Sequence, residues 1–391
     1  MTARIALLGA SGAVGRATLD ELGGHHASPK RPQQASERYE FRLGGRDPES
    51  LKTALGPRLP PGAEIRRVDL RDSDALARFC AGSAVVVNCA GPAHLVGDRV
   101  ARAALAAGAH YVDPGGESLH RELTAADPGP MLSQDRTALV SAGMTPGLSA
   151  LLPRMLADGF DRVTRLCVHA GGLDRFTPAA AGDYVASLSN GYGRSLAAWR
   201  HGRVRSGVLP RRERQHLPYF TGPVTAHPYL SAEMERLAKR LGLIDLDWYN
   251  VFAGDQVLAA LGRAGRHPGD AAGAVTELIA AADRDLLVHH PYQLFVVRLD
   301  GTAGGRPAGR TLVLRAADSY RLTGCVTALA TVAVLDRGVP AGVHFAGEVL
   351  DTRRAEQWLR GSDAVSHLHV ADTPGQSADA VAEAAEEEGA L

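Results

Sequence analysis

Lysine is almost missing from this chain. Of its 43 basic residues only Lys30, Lys52 and Lys239 are lysines, and arginine supplies the rest. Few amines are therefore available as Schiff-base formers or titrating acids. Net charge is missing too, because 43 acidic residues balance the basic ones. No global field favours a nucleic acid or a membrane surface as partner. The four cysteines, Cys80, Cys89, Cys167 and Cys325, are scattered and form no Cys-x-x-Cys pair. They read as buried thiols of a reducing compartment, not as a disulfide framework or a zinc site. No apolar run reaches the roughly 18 residues of a membrane span. The first apolar stretch is short, has no basic segment before it and ends in a glycine turn, so no secretory signal is expected and the cytoplasm is the expected location. His25-His26 lies in a polar loop, and His289-His290 precedes a strand with no carboxylate or cysteine at ligand spacing. No metal is expected.

What the chain does have begins at once. Arg4-Ile5-Ala6-Leu7-Leu8-Gly9-Ala10-Ser11-Gly12-Ala13-Val14-Gly15 is a short apolar strand running into a glycine turn, followed by an amphipathic helix over 13–22. Glycines at 9, 12 and 15 allow a tight turn, bring backbone N–H groups close to a pyrophosphate and let the helix pack on the strand. Ser11 belongs to this phosphate loop. It is not a nucleophile, because the Gly-x-Ser-x-Gly elbow is absent.

At 391 residues the chain suits two domains. Further strands are expected at 39–43, 65–70, 84–88, 110–113 and 138–141, with helices at 47–55, 72–81 and 96–107 between them. Apolar strands alternating with helices predict an α/β fold with a parallel, doubly wound sheet. After Gly143-Met144-Thr145-Pro146-Gly147 the texture changes. A helix over 148–158 and a half-exposed strand over 163–170 precede a long irregular stretch, 171–230. Strands at 293–300 and 311–316, joined by a turn over 301–309, look antiparallel and suggest an α+β second domain. A helix-like apolar segment follows at 321–335. The expected division is 1–145, 146–320, a segment 321–370 returning to the first domain, and a small, acidic tail, 371–391, without ordered structure.

The second strand ends in Leu43-Gly44-Gly45-Arg46-Asp47. A carboxylate at this place holds a ribose 2′-OH, whereas an arginine suits a 2′-phosphate. Arg46 follows the strand directly, so NADP is favoured. The bland alternative is a surface arginine before a helix capped by Asp47. Asp69 closes the third strand, either against adenine or as a helix-start residue. Asn88-Cys89-Ala90-Gly91-Pro92 places small residues where the chain must pass close to a ribose and a nicotinamide.

Together these pieces resemble the saccharopine dehydrogenase (saccharopine reductase) family. The resemblance rests on residues 9–15, Gly45-Arg46, Val87-Asn88-Cys89-Ala90-Gly91-Pro92, Ala107-Gly108-Ala109-His110-Tyr111-Val112-Asp113 with Gly116-Glu117, and Ala142-Gly143-Met144-Thr145-Pro146-Gly147. It is thinner beyond residue 150, where His169-Ala170-Gly171-Gly172-Leu173 matches a Gly-Gly-Leu segment and 323–338 matches a returning helix. It implies a Rossmann domain with an inserted α+β substrate domain containing a largely antiparallel sheet, a homodimer, and NADP(H)-dependent hydride transfer at a C=N bond. Gly9, Ser11, Gly12, Ala13, Val14, Gly15, Arg46, Asp69, Asn88, Ala90, Gly91 and Pro92 would hold the cofactor.

Hydride transfer asks the protein to align nicotinamide with an electrophilic carbon and to exclude water. Reducing an imine also requires a proton for nitrogen. Tyr192 and His169 read as candidate donors, with Glu117 beside the nicotinamide, and Met144, Asn190 and Arg194 read as substrate contacts; each is equally readable as a packing or loop residue. The segment after Gly172-Leu173 departs from the family, which favours a thiazolinyl imine reductase acting on a carrier-bound siderophore intermediate over a true saccharopine enzyme. Arginines at 194, 200, 203, 205, 211, 212 and 214 could meet an acidic carrier, or be an ordinary solvated loop. A trans-acting enoyl (C=C) reductase and a non-catalytic NADP sensor are the alternatives. A short-chain dehydrogenase is excluded, because no tyrosine is followed by a lysine four residues later.

Overall fold

The computed structural model describes residues 2–23, 39–125, 135–189, 193–266 and 269–373. They fall into two units, one built from residues up to Leu151 together with Ser319–Ala364, the other from Leu152–Asp318 and the segment from Val365 onward.

In the first unit the expected strands are β1 (Ala3–Leu8), β2 (Tyr39–Gly45), β3 (Glu64–Arg67), β4 (Val85–Asn88), β5 (His110–Val112) and β6 (Thr137–Val140). Far along the chain β16 (Gly342–Phe345) joins them. The sheet order is β16-β6-β5-β4-β1-β2-β3, and every pairing is parallel. Ile5, Leu7, Val85 and Val87 are fully buried, as befits strands covered on both faces by helices. Asp47 and Asp72 cap the helices Pro48–Leu55 and Ser73–Cys80, each carboxylate accepting two backbone N–H groups; such a cap stabilises by about 1 kcal/mol. β3 is shorter than expected, because Asp69 folds the chain back by accepting from Arg71 N at 2.9 Å. The helix expected at 96–107 is two pieces, Ala93–Val96 and Arg99–Ala106, separated at Gly97 with φ +59°.

The helix Ser319–Leu335 is buried along most of its length. It packs on Ala13–Gly23 at Gly324, where a Cβ would lie 2.5 Å from the Ala17 side chain. Only glycine allows that approach.

The second unit holds a ten-stranded sheet made of β7 (Arg162–Leu173), β8 (Gly193–Ser195), β9 (Ala198–Arg200), β10 (Arg203–Arg205), β11 (Arg212–His216), β12 (Pro223–Ser231), β13 (Asp245–Phe252), β14 (Tyr292–Ala303), β15 (Arg306–Ala316) and β17 (Val365–Asp372). Its spine runs β10-β9-β13-β7-β14-β15-β17. Only β13 and β7 pair in parallel, so the sheet is largely antiparallel, as the sequence indicated.

Four details differ from expectation. The stretch 171–230 is not irregular: it carries the helix Pro178–Ser189, four short strands, β8 to β11, and nearly all of the nine-residue β12. β14 and β15 run almost to the tip of their hairpin, leaving a two-residue turn, Gly304-Gly305, with both φ values positive, +57° and +71°. β7 continues past Ala170 to Leu173. Residues 365–370 do not return to the first unit but start β17, the edge strand beside β15, which also takes in Ala371 and Asp372 of the expected tail. No helix among the described residues is long and apolar enough to cross a membrane.

Candidate cofactor site

The glycine turn lies where β1 hands over to the helix Ala13–Gly23. Gly9 adopts φ +76°, and Gly12 N donates to Gly9 O at 2.9 Å. A Cβ on Gly9 would sit 2.5 Å from the Cys89 backbone, and one on Gly15 would sit 2.1 Å from Gly9 O. The turn is therefore closed around glycine at both positions, while Ser11 and Gly12 stay exposed beside Ala13 and Val14. The first N–H groups of a helix lack intrahelical partners and carry its positive dipole end. This is a cradle for a pyrophosphate.

At the end of β4, Asn88 Nδ2 donates to Asp113 Oδ2 at 3.0 Å. Tyr111 donates to the same oxygen at 2.5 Å, and Gly115 N donates to Asp113 Oδ1 at 2.7 Å. Asn88 Oδ1 in turn accepts from Ala90 N at 3.3 Å. Asn88, Tyr111 and Asp113 are all buried. The network holds the Ala90-Gly91-Pro92 turn against the glycine loop. Burial, and then the Asp113 charge, push the Tyr111 hydroxyl well above its ordinary pKa, so it stays a donor. Burial pushes the Cys89 thiol up to about 12, which rules it out as a nucleophile at neutral pH.

At the end of β2, Arg46 is exposed. Asp47, which could have claimed a ribose hydroxyl, is engaged instead. Its carboxylate accepts from Glu49 N at 3.1 Å and from the Ser50 hydroxyl at 2.6 Å, and the Ser50 bonds hold its pKa below the usual carboxylate value. Asp69 is exposed and tied into its own turn. Met144 lies in the loop after β6, where its N–H donates to Thr323 Oγ1 at 3.3 Å. Glu117 opens the helix Glu117–Ala125 and is half-buried. All these residues belong to the first unit.

The remaining candidates belong to the second unit. Tyr192 and Asn190 lie outside the described residues. Arg194 is exposed in β8, paired with Leu230. His169 does not end a strand, as expected, but sits within β7 between Tyr249 and Val296. Its ring stacks on Tyr249 with centroids 4.8 Å apart, and Nε2 is buried without a hydrogen-bond partner. Burial, and then Arg212, lower its pKa to about 4. At pH 7 the ring is neutral, so it could offer only its remaining N–H, a far weaker acid than an imidazolium, which weakens the donor role expected for it. Arg200 leaves the expected arginine cluster, because its guanidinium is ion-paired with Asp247. Among the described residues no three His, Cys, Asp or Glu side chains gather as metal ligands.

The Asn88–Asp113–Tyr111 network was not visible as a unit in the sequence. Its signal was the i, i+2 spacing of Tyr111 in β5 and Asp113 just after it, which turns both to the same side of the extended chain.

Residues 5–145 match the family described as the saccharopine dehydrogenase NADP binding domain. A curated relative, named a probable mitochondrial saccharopine dehydrogenase-like oxidoreductase of Arabidopsis thaliana, is 31% identical over 141 residues, which are 35% of this chain and 30% of that protein. The match thus spans under a third of that relative's length. Among solved structures, apo saccharopine dehydrogenase (L-Glu forming) from Saccharomyces cerevisiae superposes with a TM-score of 0.65 at 14% identity, covering 95% of this chain and all of that one. It shares the fold. A DAP dehydrogenase from C. glutamicum in complex with DAP covers 90% of the chain at 15% identity with a TM-score of 0.47. The glycine cradle, the engaged Asp47 and the exposed Arg46 all suit the cofactor that the family name prints. Residues 5–145 are thus similar to the saccharopine dehydrogenase NADP binding domain, and NADP is the cofactor of the first unit.

Proposed function

We propose that this chain is an NADPH-dependent oxidoreductase that reduces a C=N bond. The observation that carries the reading is the phosphate cradle at residues 9–15, closed by the Cys89 backbone, inside a stretch matched to the saccharopine dehydrogenase NADP-binding domain. NADPH, when bound, supplies hydride. The chain's own part is to grip the dinucleotide at Gly9, Ser11, Gly12, Ala13, Val14 and Gly15 and at Arg46. The Ala90-Gly91-Pro92 turn, fixed by Asn88, holds the nicotinamide end, and a proton must reach the reduced nitrogen. With His169 neutral, Tyr192 and Glu117 are the proton sources we propose, and Met144, Asn190 and Arg194 the substrate contacts. The protein would act in the cytoplasm as a homodimer.

The finer reading is a thiazolinyl imine reductase acting on a carrier-bound siderophore intermediate. What supports it is the set of exposed arginines Arg203, Arg205, Arg211, Arg212 and Arg214 on and around β10 and β11, of which Arg211 and Arg214 already face Glu213 and Asp255 and Arg212 lies over the Tyr249 ring. The test follows NADPH oxidation with a thiazolinyl thioester, a saccharopine-type imine and an enoyl thioester. Turnover of either imine upholds C=N reduction, and the thiazolinyl thioester alone upholds the finer reading. Turnover of the enoyl thioester alone moves the chain to C=C chemistry. Tight NADPH binding without any turnover makes it a sensor.

A further inference from the structure

The end of the sheet at β2 and β3 carries more positive charge than Arg46 alone. β2 and β3 pair in parallel with Gly45 opposite Arg67, and Val68 N donates to Gly45 O at 2.9 Å, so the two strands stay together to their carboxyl ends. Paired residues of a ladder project on the same face. At Gly45 that face is the one covered by the helix Pro48–Leu55, because a Cβ there would meet Leu51 at 3.4 Å. Gly45 carries no side chain, so nothing on β2 stands between Arg67 and the first turn of that helix. The charge of Arg67 already reaches Asp47 at the helix cap.

The other cations of β2, β3 and the helix Pro48–Leu55 are committed elsewhere. Arg42 donates to Glu64 and to the Phe79 and Ala81 carbonyls. Arg66 pairs with Glu64 and Lys52 with Glu49. Arg67 and Arg46 are both exposed, and neither has an ion-pair partner within contact distance among the described residues. Asp47, the carboxylate that could oppose an anion here, is occupied by its own helix.

We propose that Arg67 is a specificity residue that shares the 2′-phosphate of NADP with Arg46, the two guanidiniums gripping one dianion from the ends of adjacent strands. Charge-assisted contacts of this kind are the strong ones, and arginine suits phosphate geometry better than lysine does. The proposal rests on the NADP assignment of the first unit and adds to it a residue that lies 21 positions beyond Arg46.

The test titrates the full-length protein calorimetrically with 2′,5′-ADP and with 5′-AMP, which lacks the 2′-phosphate. Arg67→Ala should weaken 2′,5′-ADP by about tenfold or more and leave 5′-AMP within about twofold, the span of one charge-assisted contact. Arg67→Lys should recover part of the loss. Arg66→Ala, which removes the neighbour paired to Glu64, should change neither ligand. The proposal is overturned if Arg67→Ala keeps its 2′,5′-ADP affinity or loses both ligands equally. A wild-type protein that binds 2′,5′-ADP no better than 5′-AMP would overturn the NADP assignment itself, an outcome read before any variant is made.

Discussion

Tyr111 and Asn88 donate to the same oxygen of Asp113, at 2.5 and 3.0 Å, and all three residues are buried. Removing the acceptor strands two buried donors, and an unsatisfied buried group costs about 1–3 kcal/mol. Asp113→Ala should therefore lower unfolding free energy by about 3 kcal/mol in urea titration and weaken NADPH binding through the loosened Ala90 turn. Tyr111→Phe should cost about 1 kcal/mol and leave binding close to wild type. An Asp113→Ala protein as stable as wild type would remove the network from this account.

The glycine turn makes a ranking. Gly15→Ala would bring a Cβ to 2.1 Å from Gly9 O, and Gly9→Ala would bring one to 2.5 Å from the Cys89 backbone at a positive φ; at Gly12 the nearest atom is 3.2 Å away. In the first two the obstructing atoms are main chain and cannot swing aside. We expect NADPH affinity, read by fluorescence titration, to collapse in Gly9→Ala and Gly15→Ala and to fall modestly in Gly12→Ala. A reversed order would mean that the turn is not shaped around the dinucleotide.

Arg46 sets the prediction for cofactor choice in turnover. Arg46→Ala should raise KM for NADPH far more than for NADH, since a charge-assisted phosphate contact is worth about 1.5–3 kcal/mol. Steady-state kinetics with both cofactors decide it, and equal effects on the two would take Arg46 out of the phosphate site.

His169 makes stability depend on pH. Its pKa is about 4 in the folded protein against 6.5 for the free side chain. The unfolded chain therefore binds the proton first as pH falls. Above pH 6.5 the residue contributes its full stabilisation; this fades as pH drops through the window from 6.5 to about 4. The loss should approach about 3 kcal/mol at the low end, by linkage. His169→Leu should flatten that part of the urea-midpoint profile between pH 6.5 and 4.5. An unchanged slope would place the titration elsewhere.

The first unit was largely legible because strands such as β1 and β4 are short, mostly apolar and set off by glycine or a capping aspartate, as at Leu8-Gly9 and Asp72. A parallel sheet buried on both faces leaves that trace. The second unit was not. β8, β9 and β10 have three residues each, too few for a period to declare itself, and β11 is exposed throughout with polar side chains. Such strands are held by their neighbours in the ladder, which a linear reading does not see. His169 was misread for the same reason: the two glycines after it look like a strand end, yet β13 and β14 carry the ladder past them. Arg67 was overlooked because its importance lies across the ladder at Gly45, not along the chain.

The contact of Gly324 with Ala17 ties the beginning of the nucleotide-binding unit to a helix made more than three hundred residues later. On the ribosome, the amino-terminal strands emerge without the surface that will cover their first helix. All of Leu152–Asp318, which belongs to the other unit, is synthesised before that cover exists, on the order of ten to thirty seconds at ordinary elongation rates. The nascent chain must therefore keep a sheet of six strands, still without β16 and this covering helix, from aggregating while most of the second unit is threaded out. The demand for chaperone protection falls on the apolar face of the helix Ala13–Gly23, and a stalled chain ending near residue 318 would be a degradation substrate, not a functional NADP binder.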